Sequence, residues 1–229
     1  MSEHVLPFYL LCDESYSMTD HLDKMNACVR ELCKAIATDR QVASKSRLCL
    51  IGFSSTANVL VPLSRLTELR EITGLTATAA TNYGAAFTRL REVISSDVEA
   101  LNASDHVVYR PVVFVLSDGL PTDPASWRAA HDRLVDRDWP ARPHIVAIGI
   151  GDADTGTLKS ISTFRTYLNT GGVTAGAALR KLNEVLTSSI VLSGKSPTQC
   201  RSRANGVDRA DEPGHSAVGQ VAGTAGRPA

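Results

Sequence analysis

Asp13-Glu14-Ser15-Tyr16-Ser17 places an oxygen-bearing residue at every second position. In extended backbone alternate side chains point to the same side, so the Asp13 carboxylate and the Ser15 and Ser17 hydroxyls face one way. Two more polar clusters supply Thr81, in Ala79-Ala80-Thr81-Asn82-Tyr83, and Asp118, in Ser117-Asp118-Gly119-Leu120-Pro121. A carboxylate with two hydroxyls, a third hydroxyl and a second carboxylate make an oxygen-only set suited to a hard cation. Mg²⁺ takes six such ligands at about 2.0–2.1 Å, and waters would fill the remaining places. Mn²⁺ or Ca²⁺ suits the same oxygens. Neutral hydroxyls leave one side of the ion under-neutralised, so a Glu or Asp side chain from another protein could complete its shell.

Each residue alone has a plainer reading. Ser15 or Ser17 could cap a following helix, with Asp20 three residues after Ser17 mimicking a capping box. Thr81 or Asn82 could be an N-cap, and Asp118-Gly119 a turn. Their joint occurrence at strand-to-helix loops favours the metal, because open α/β sheets bind ligands outside the carboxyl ends of their strands.

The elements that must position them alternate strand-length apolar runs with helical periodicity, the pattern of βαβ units. Leu6 to Cys12 reads as a central strand buried on both faces and ending at Asp13. Leu22, Met25, Val29, Leu32, Cys33 and Ile36 mark a helix from about Thr19 to Asp39. Arg47 to Phe53 and Asn58 to Leu63, joined by Ser54 to Ala57, form a hairpin, and Pro62 suits an edge. Tyr83, Phe87, Leu90, Ile94, Val98 and Leu101 mark a second helix after Thr81. Pro111 to Ser117 is a strand; Asp123 and Pro124 cap and open a helix through about Asp138. Ile145 to Ile150 is a strand, Asp154 to Ser162 a short helix, Phe164 to Leu168 an edge strand and Thr174 to Leu192 a final helix. The fold expected is α/β: a doubly wound, mainly parallel sheet with one antiparallel edge strand and helices on both faces. From residue 194 onward no periodic apolar face remains, so 1–193 is read as one domain and 194–229 as a disordered tail.

D-E-S-Y-S-M, A-T-N-Y-G and S-D-G-L-P-T-D, in that order, resemble the von Willebrand factor A domain family, whose metal-ion-dependent adhesion site uses D-x-S-x-S, a Thr and an Asp. The resemblance spans about Leu6 to Leu192 and implies Asp13, Ser15, Ser17, Thr81 and Asp118 as metal ligands. It departs at Tyr16, where a Gly often separates the serines, and at Ala79-Ala80, where Gly-Gly often precedes the Thr. Within the family the chain is similar to bacterial TerY-like tellurium-resistance proteins through Pro7-Phe-Tyr-Leu-Leu, Tyr109-Arg-Pro-Val-Val-Phe, Asp123 to Trp127 and Ile145-Val-Ala-Ile-Gly-Ile-Gly. That likeness implies a tellurite or chemical stress response and kinase or phosphatase components as partners.

Other functions have less support. Lys plus Arg and Asp plus Glu each total 24 in 229 residues, so composition offers no attraction to nucleic acid or anionic membrane. No apolar run approaches the roughly 20 residues needed to span a bilayer, and Met1 to Cys12 lacks the cation of a secretory signal. Five cysteines without a CxxC pairing suggest a reducing, cytoplasmic setting. No phosphate-binding glycine loop or hydrolase elbow is present. A Mg²⁺-dependent phosphoryl transfer through Asp13 is an alternative, but it usually needs a second Asp where Ser15 stands, and a strand-end Lys. A metal-free scaffold is the other alternative. Glu14 is read as solvated, Asp152 and Asp154 as turn residues, His131 as surface or half-buried, and Trp127 and Trp139 as packing residues.

Overall fold

Val5-Leu-Pro-Phe-Tyr-Leu-Leu-Cys12 has apolar residues on both sides of an extended chain, and strand β1, His4–Asp13, is buried along nearly its whole length. A strand of that kind must be covered on two faces. The computed structural model describes residues 3–38, 40–68, 74–78 and 80–168. After β1 come a 3-10 helix, Tyr16–His21, then α1, Leu22–Thr38, and α2, Arg40–Lys45. The hairpin β2, Ser46–Phe53, and β3, Ala57–Arg65, leads to a 3-10 turn, Leu66–Glu68. The chain continues through α3, Tyr83–Ala103; β4, Val107–Val108; β5, Val112–Ser117; and α4, Trp127–Leu134. It then runs through β6, His144–Gly149; α5, Thr155–Ile161; and β7, Arg165–Leu168.

The sheet order is β3-β2-β1-β5-β6-β7, with β4 pairing β1. All pairings are parallel except β2 with β3, the expected antiparallel edge. From β1 the chain builds outward to β2 and β3 on one side, then returns to build β5, β6 and β7 on the other. The reversal of direction lies between β1 and β5, where open sheets form their ligand crevice. Alternate strand residues feed two cores. Val5, Tyr9, Leu11, Ile51, Val113 and Val115 pack with Phe87 and Leu90 of α3 and with Trp127 and Leu134 of α4. Leu6, Phe8, Leu10, Leu48, Phe114 and Val146 pack with Met25, Val29 and Leu32 of α1. Helices thus cover both faces.

Two helices differ from the sequence expectation, which also had no counterpart for α2 or β4. The first helical region begins at Tyr16 as 3-10 turns rather than at Thr19 as α-helix, with Met18 fully buried. The helix expected from Asp123 to Asp138 shrinks to Trp127–Leu134, and the Asp123 carboxylate, besides the Ser126 hydroxyl of its own segment, accepts from the Tyr83 and Gly84 N–H groups at the start of α3. His131 is buried, its Nε2 within 2.8 Å of the Ile161 carbonyl oxygen. The final helix expected over Thr174–Leu192 and the tail from residue 194 lie outside the described residues.

Candidate metal centre

Asp13 ends β1 beside β5, because the register pairs Cys12 with Leu116. The next residue of β5, Ser117, donates its hydroxyl to Asp13 Oδ2 at 2.5 Å. The Ser15 backbone N–H donates to Oδ1 at 2.9 Å. Asp13 is fully buried. That burial pushes its carboxyl up to about 6, against the lowering effect of the Ser117 and Ser15 bonds, and the Asp118 charge adds to the rise. The Asp118 charge therefore reaches Asp13 although 105 positions separate the two residues.

Ser15 occupies the N-cap position of the 3-10 helix, yet its side chain makes no capping bond. The Ser15 and Ser17 hydroxyl oxygens instead lie 3.0 Å apart. Ser15 is buried and Ser17 exposed, so the pair leads from the interior to the surface.

Thr81 is buried just before α3, and Asn82 rather than Thr81 caps that helix, its Oδ1 accepting from Ala85 N at 2.9 Å. The Thr81 carbonyl accepts from both the N–H and the hydroxyl of Thr122, each at 2.9 Å, which ties this loop to the one after β5. Asp118 is buried and accepts from Leu120 N at 3.2 Å in a side-chain turn. Gly119 has φ of +82°, a left-handed conformation that favours glycine. The turn reading of Asp118-Gly119 is thus correct and leaves the second carboxylate oxygen outside that turn. Thr78 N donates to the Glu14 carbonyl at 2.6 Å, closing the contact between the first and second loops. All three loops meet at the carboxyl ends of β1 and β5.

Several supporting residues escaped the sequence reading. Ser117 accepts from the Tyr83 hydroxyl at 2.6 Å and from Gly119 N at 2.9 Å while donating to Asp13. A single buried hydroxyl thereby joins Asp13, Tyr83 and Gly119, one residue from each of the three segments. Burial, reinforced by the Asp13 charge, raises the Tyr83 phenol above its ordinary range. Asp123 receives Tyr83 N at 3.1 Å and Gly84 N at 2.8 Å, a further link between the second and third loops. Glu14 is not simply solvated: its Oε1 accepts from Thr76 N at 2.9 Å, and its side chain fills the space a Cβ would take on Gly52. Asp154 caps α5 through Gly156 and Thr157 N–H groups, more than a turn role. Ser117 lacks any sequence signal because a strand-end serine is ordinary; Asp123 was visible but assigned to the wrong helix.

The donor set fits a small hard cation. Cis ligands of an octahedral Mg²⁺ at about 2.0–2.1 Å sit about 2.9 Å apart, close to the 3.0 Å between the Ser15 and Ser17 oxygens. Ser15 and Ser17 would hold the ion through these oxygens, giving up their mutual hydrogen bond. Asp13 uses one acceptor position on each oxygen, and a carboxylate offers about four in all. Among the described residues no cluster of three or more His, Cys, Asp or Glu side chains is arranged to hold a metal ion, so any ion here depends on hydroxyl oxygen as well as carboxylate.

Residues 8–120, just under half of the chain, match the family model described as von Willebrand factor type A domain, a span that includes Asp13, Ser15, Ser17, Thr81 and Asp118. No curated protein matches the chain by sequence. Among solved structures the chain is similar to the conserved hypothetical protein BatB from Bacteroides thetaiotaomicron, with a TM-score of 0.55 and 13% identity, covering 80% of this chain and 99% of that one. It is similar to the pilus adhesin SpaC from Lactobacillus rhamnosus GG, with a TM-score of 0.63 and 12% identity over 82% of this chain and 31% of that one. Proximal thread matrix protein 1 from the mussel byssus gives 0.60 and 18% identity, with 79% and 47% covered. The chain spans less than half the length of the last two. At such identities the likeness establishes the fold.

Proposed function

We propose that this chain is a von Willebrand factor type A domain that binds a divalent cation through Asp13, Ser15, Ser17, Thr81 and Asp118 and captures a partner protein's carboxylate on it. The observation that carries this reading is the state of the two serines: their oxygens are 3.0 Å apart, beside the Asp13 carboxylate, and Ser15 is not spent on capping. The bound ion, Mg²⁺ or alternatively Mn²⁺ or Ca²⁺, would supply a Lewis-acidic position for the incoming acid. The chain's own residues do the rest. Ser117 holds Asp13 against rotation, Asp123 and Thr122 hold the Thr81 loop against the Asp118 loop, and Glu14 secures residues 76–78.

A binding role is favoured over catalysis. The phosphoryl-transfer alternative through Asp13 wants a cation at the phosphate, and residues 13–21, 74–84 and 117–126 contain no Lys or Arg. Both Asp13 oxygens already accept hydrogen bonds, which lowers nucleophilicity. The stress-response setting rests on the TerY-like residues Pro7 to Leu11 and Asp123 to Trp127 and is part of the proposal, as are kinase or phosphatase components as partners. A cytoplasmic location is proposed on the free thiols of Cys12, Cys28, Cys33 and Cys49. No helix of the described residues is long and apolar enough to cross a membrane.

Affinity capture from the source cell tests the reading. Proteins retained in Mg²⁺, lost in EDTA, recovered on adding Mg²⁺ back and absent with Asp118→Ala are expected. Retention unchanged by EDTA and by the substitution would favour the metal-free scaffold.

A further inference from the structure

Tyr16 and Leu120 are the exposed large hydrophobic side chains among the described residues, 70% and 56% accessible. Both stand at the candidate metal centre and on different loops. Tyr16 lies between Ser15 and Ser17, and the Leu120 N–H bonds the Asp118 carboxylate. Exposed apolar side chains at the rim of a binding site offer a partner surface to cover, and Tyr is enriched among the residues that carry binding energy. The charge around them is equally one-sided. Residues 13–21, 52–58, 74–78, 80–84, 117–126 and 150–157, which form the loops at this end of the sheet, contain no Lys or Arg in a chain with 24 of those cations, and 13–21, 117–126 and 150–157 carry carboxylates. Asp20 and Asp152 are exposed among them. Without a cation at the centre this face repels acids, and with one bound only the central point attracts them.

We propose that the partner presents a lone Asp or Glu flanked by apolar residues, the acid on the ion and its neighbours on Tyr16 and Leu120, and that acid-rich segments are rejected. This rests on the metal site proposed above and adds its selectivity. One carboxylate complements the ion; a second one would face Asp20 or Asp152 rather than a cation. Apolar flanks cover the two side chains the fold leaves bare.

A displayed peptide library with a fixed central Glu and random flanking positions, selected on the full chain in Mg²⁺, tests it. The expected result is enrichment of apolar residues within two positions of the Glu and depletion of further Asp and Glu. A synthetic peptide from that pool should bind the Tyr16→Ser/Leu120→Ser variant at least about tenfold more weakly, while the variant's Mn²⁺ affinity is unchanged. Mg²⁺-dependent enrichment with polar or acidic flanks, or equal binding to the variant, overturns the rim inference alone. Enrichment that persists in EDTA, or with a central Ala library, overturns the metal site beneath it as well.

Discussion

Asp13 concentrates the chemistry of the site in one buried carboxyl. Its ordinary value of 3.8 rises to about 6 in the folded chain through burial, so the folded state retains a proton that the unfolded state has released between those values. Stability of the metal-free protein therefore falls as pH rises through that window, and the cost is fully present above about pH 6. Asp13→Asn removes this dependence. In EDTA the stability of wild type relative to Asp13→Asn should fall by about 2–3 kcal/mol between pH 4 and pH 7, measured by urea denaturation at both pH values. A parallel pH profile for the two proteins would contradict a carboxyl raised by burial. Because the proton and a cation compete for the same oxygens, Mg²⁺ affinity should weaken as pH drops below about 6.

At the scale of elements, the start of α3 depends on a residue distant in sequence. Asp123 accepts from two of the N–H groups that a helix start leaves without partners. Asp123→Ala should cost about 1–2 kcal/mol by loss of that cap and, by loosening Thr81 against Asp118, should weaken Mg²⁺ binding about tenfold. Denaturation with parallel metal titration separates the two effects, and a variant that loses stability with unchanged metal affinity would limit Asp123 to capping. Gly84→Ala probes the same contact from the other side, since its Cβ would lie 2.8 Å from Asp123 Oδ2. These links explain what the sequence could and could not reveal. Apolar runs disclosed β1, β2, β5 and β6, because each strand is buried on both faces. The Asp13, Ser15 and Ser17 spacing was legible because alternate residues of extended chain share a side, and the Thr81 and Asp118 loops because each follows or precedes an element that the apolar pattern marks. Asp123 and Ser117 were not, since each acts through an atom contributed by another loop: α3 N–H groups for one, the Asp13 carboxylate for the other. Local pattern assigns an Asp before a Pro to its own helix, and only the tertiary arrangement sends it to α3.

For the whole molecule, the site couples segments that the sheet merely brings side by side. Asp13 from β1, Thr81 before α3 and Asp118 after β5 are held by hydrogen bonds among loops, and a cation would bind the native arrangement but not the unfolded chain. At a concentration one hundred times its dissociation constant, such an ion stabilises by about 2.7 kcal/mol. For a chain of this size that corresponds to a rise in Tm of about 5–10 °C. Calorimetric scans with and without Mg²⁺ should show it for wild type and not for Ser15→Ala. An equal rise in both would assign the stabilisation to a different site.

Mn²⁺ titration followed by electron paramagnetic resonance tests the central claim most directly, because bound Mn²⁺ loses the sharp signal of the free ion. Wild type should remove the ion from solution at one per chain, and Asp118→Ala should leave the free signal almost undiminished while retaining its fold by circular dichroism. Undiminished free Mn²⁺ in the presence of wild type, or identical titrations for the two proteins, would contradict a cation held by these five oxygen-bearing side chains.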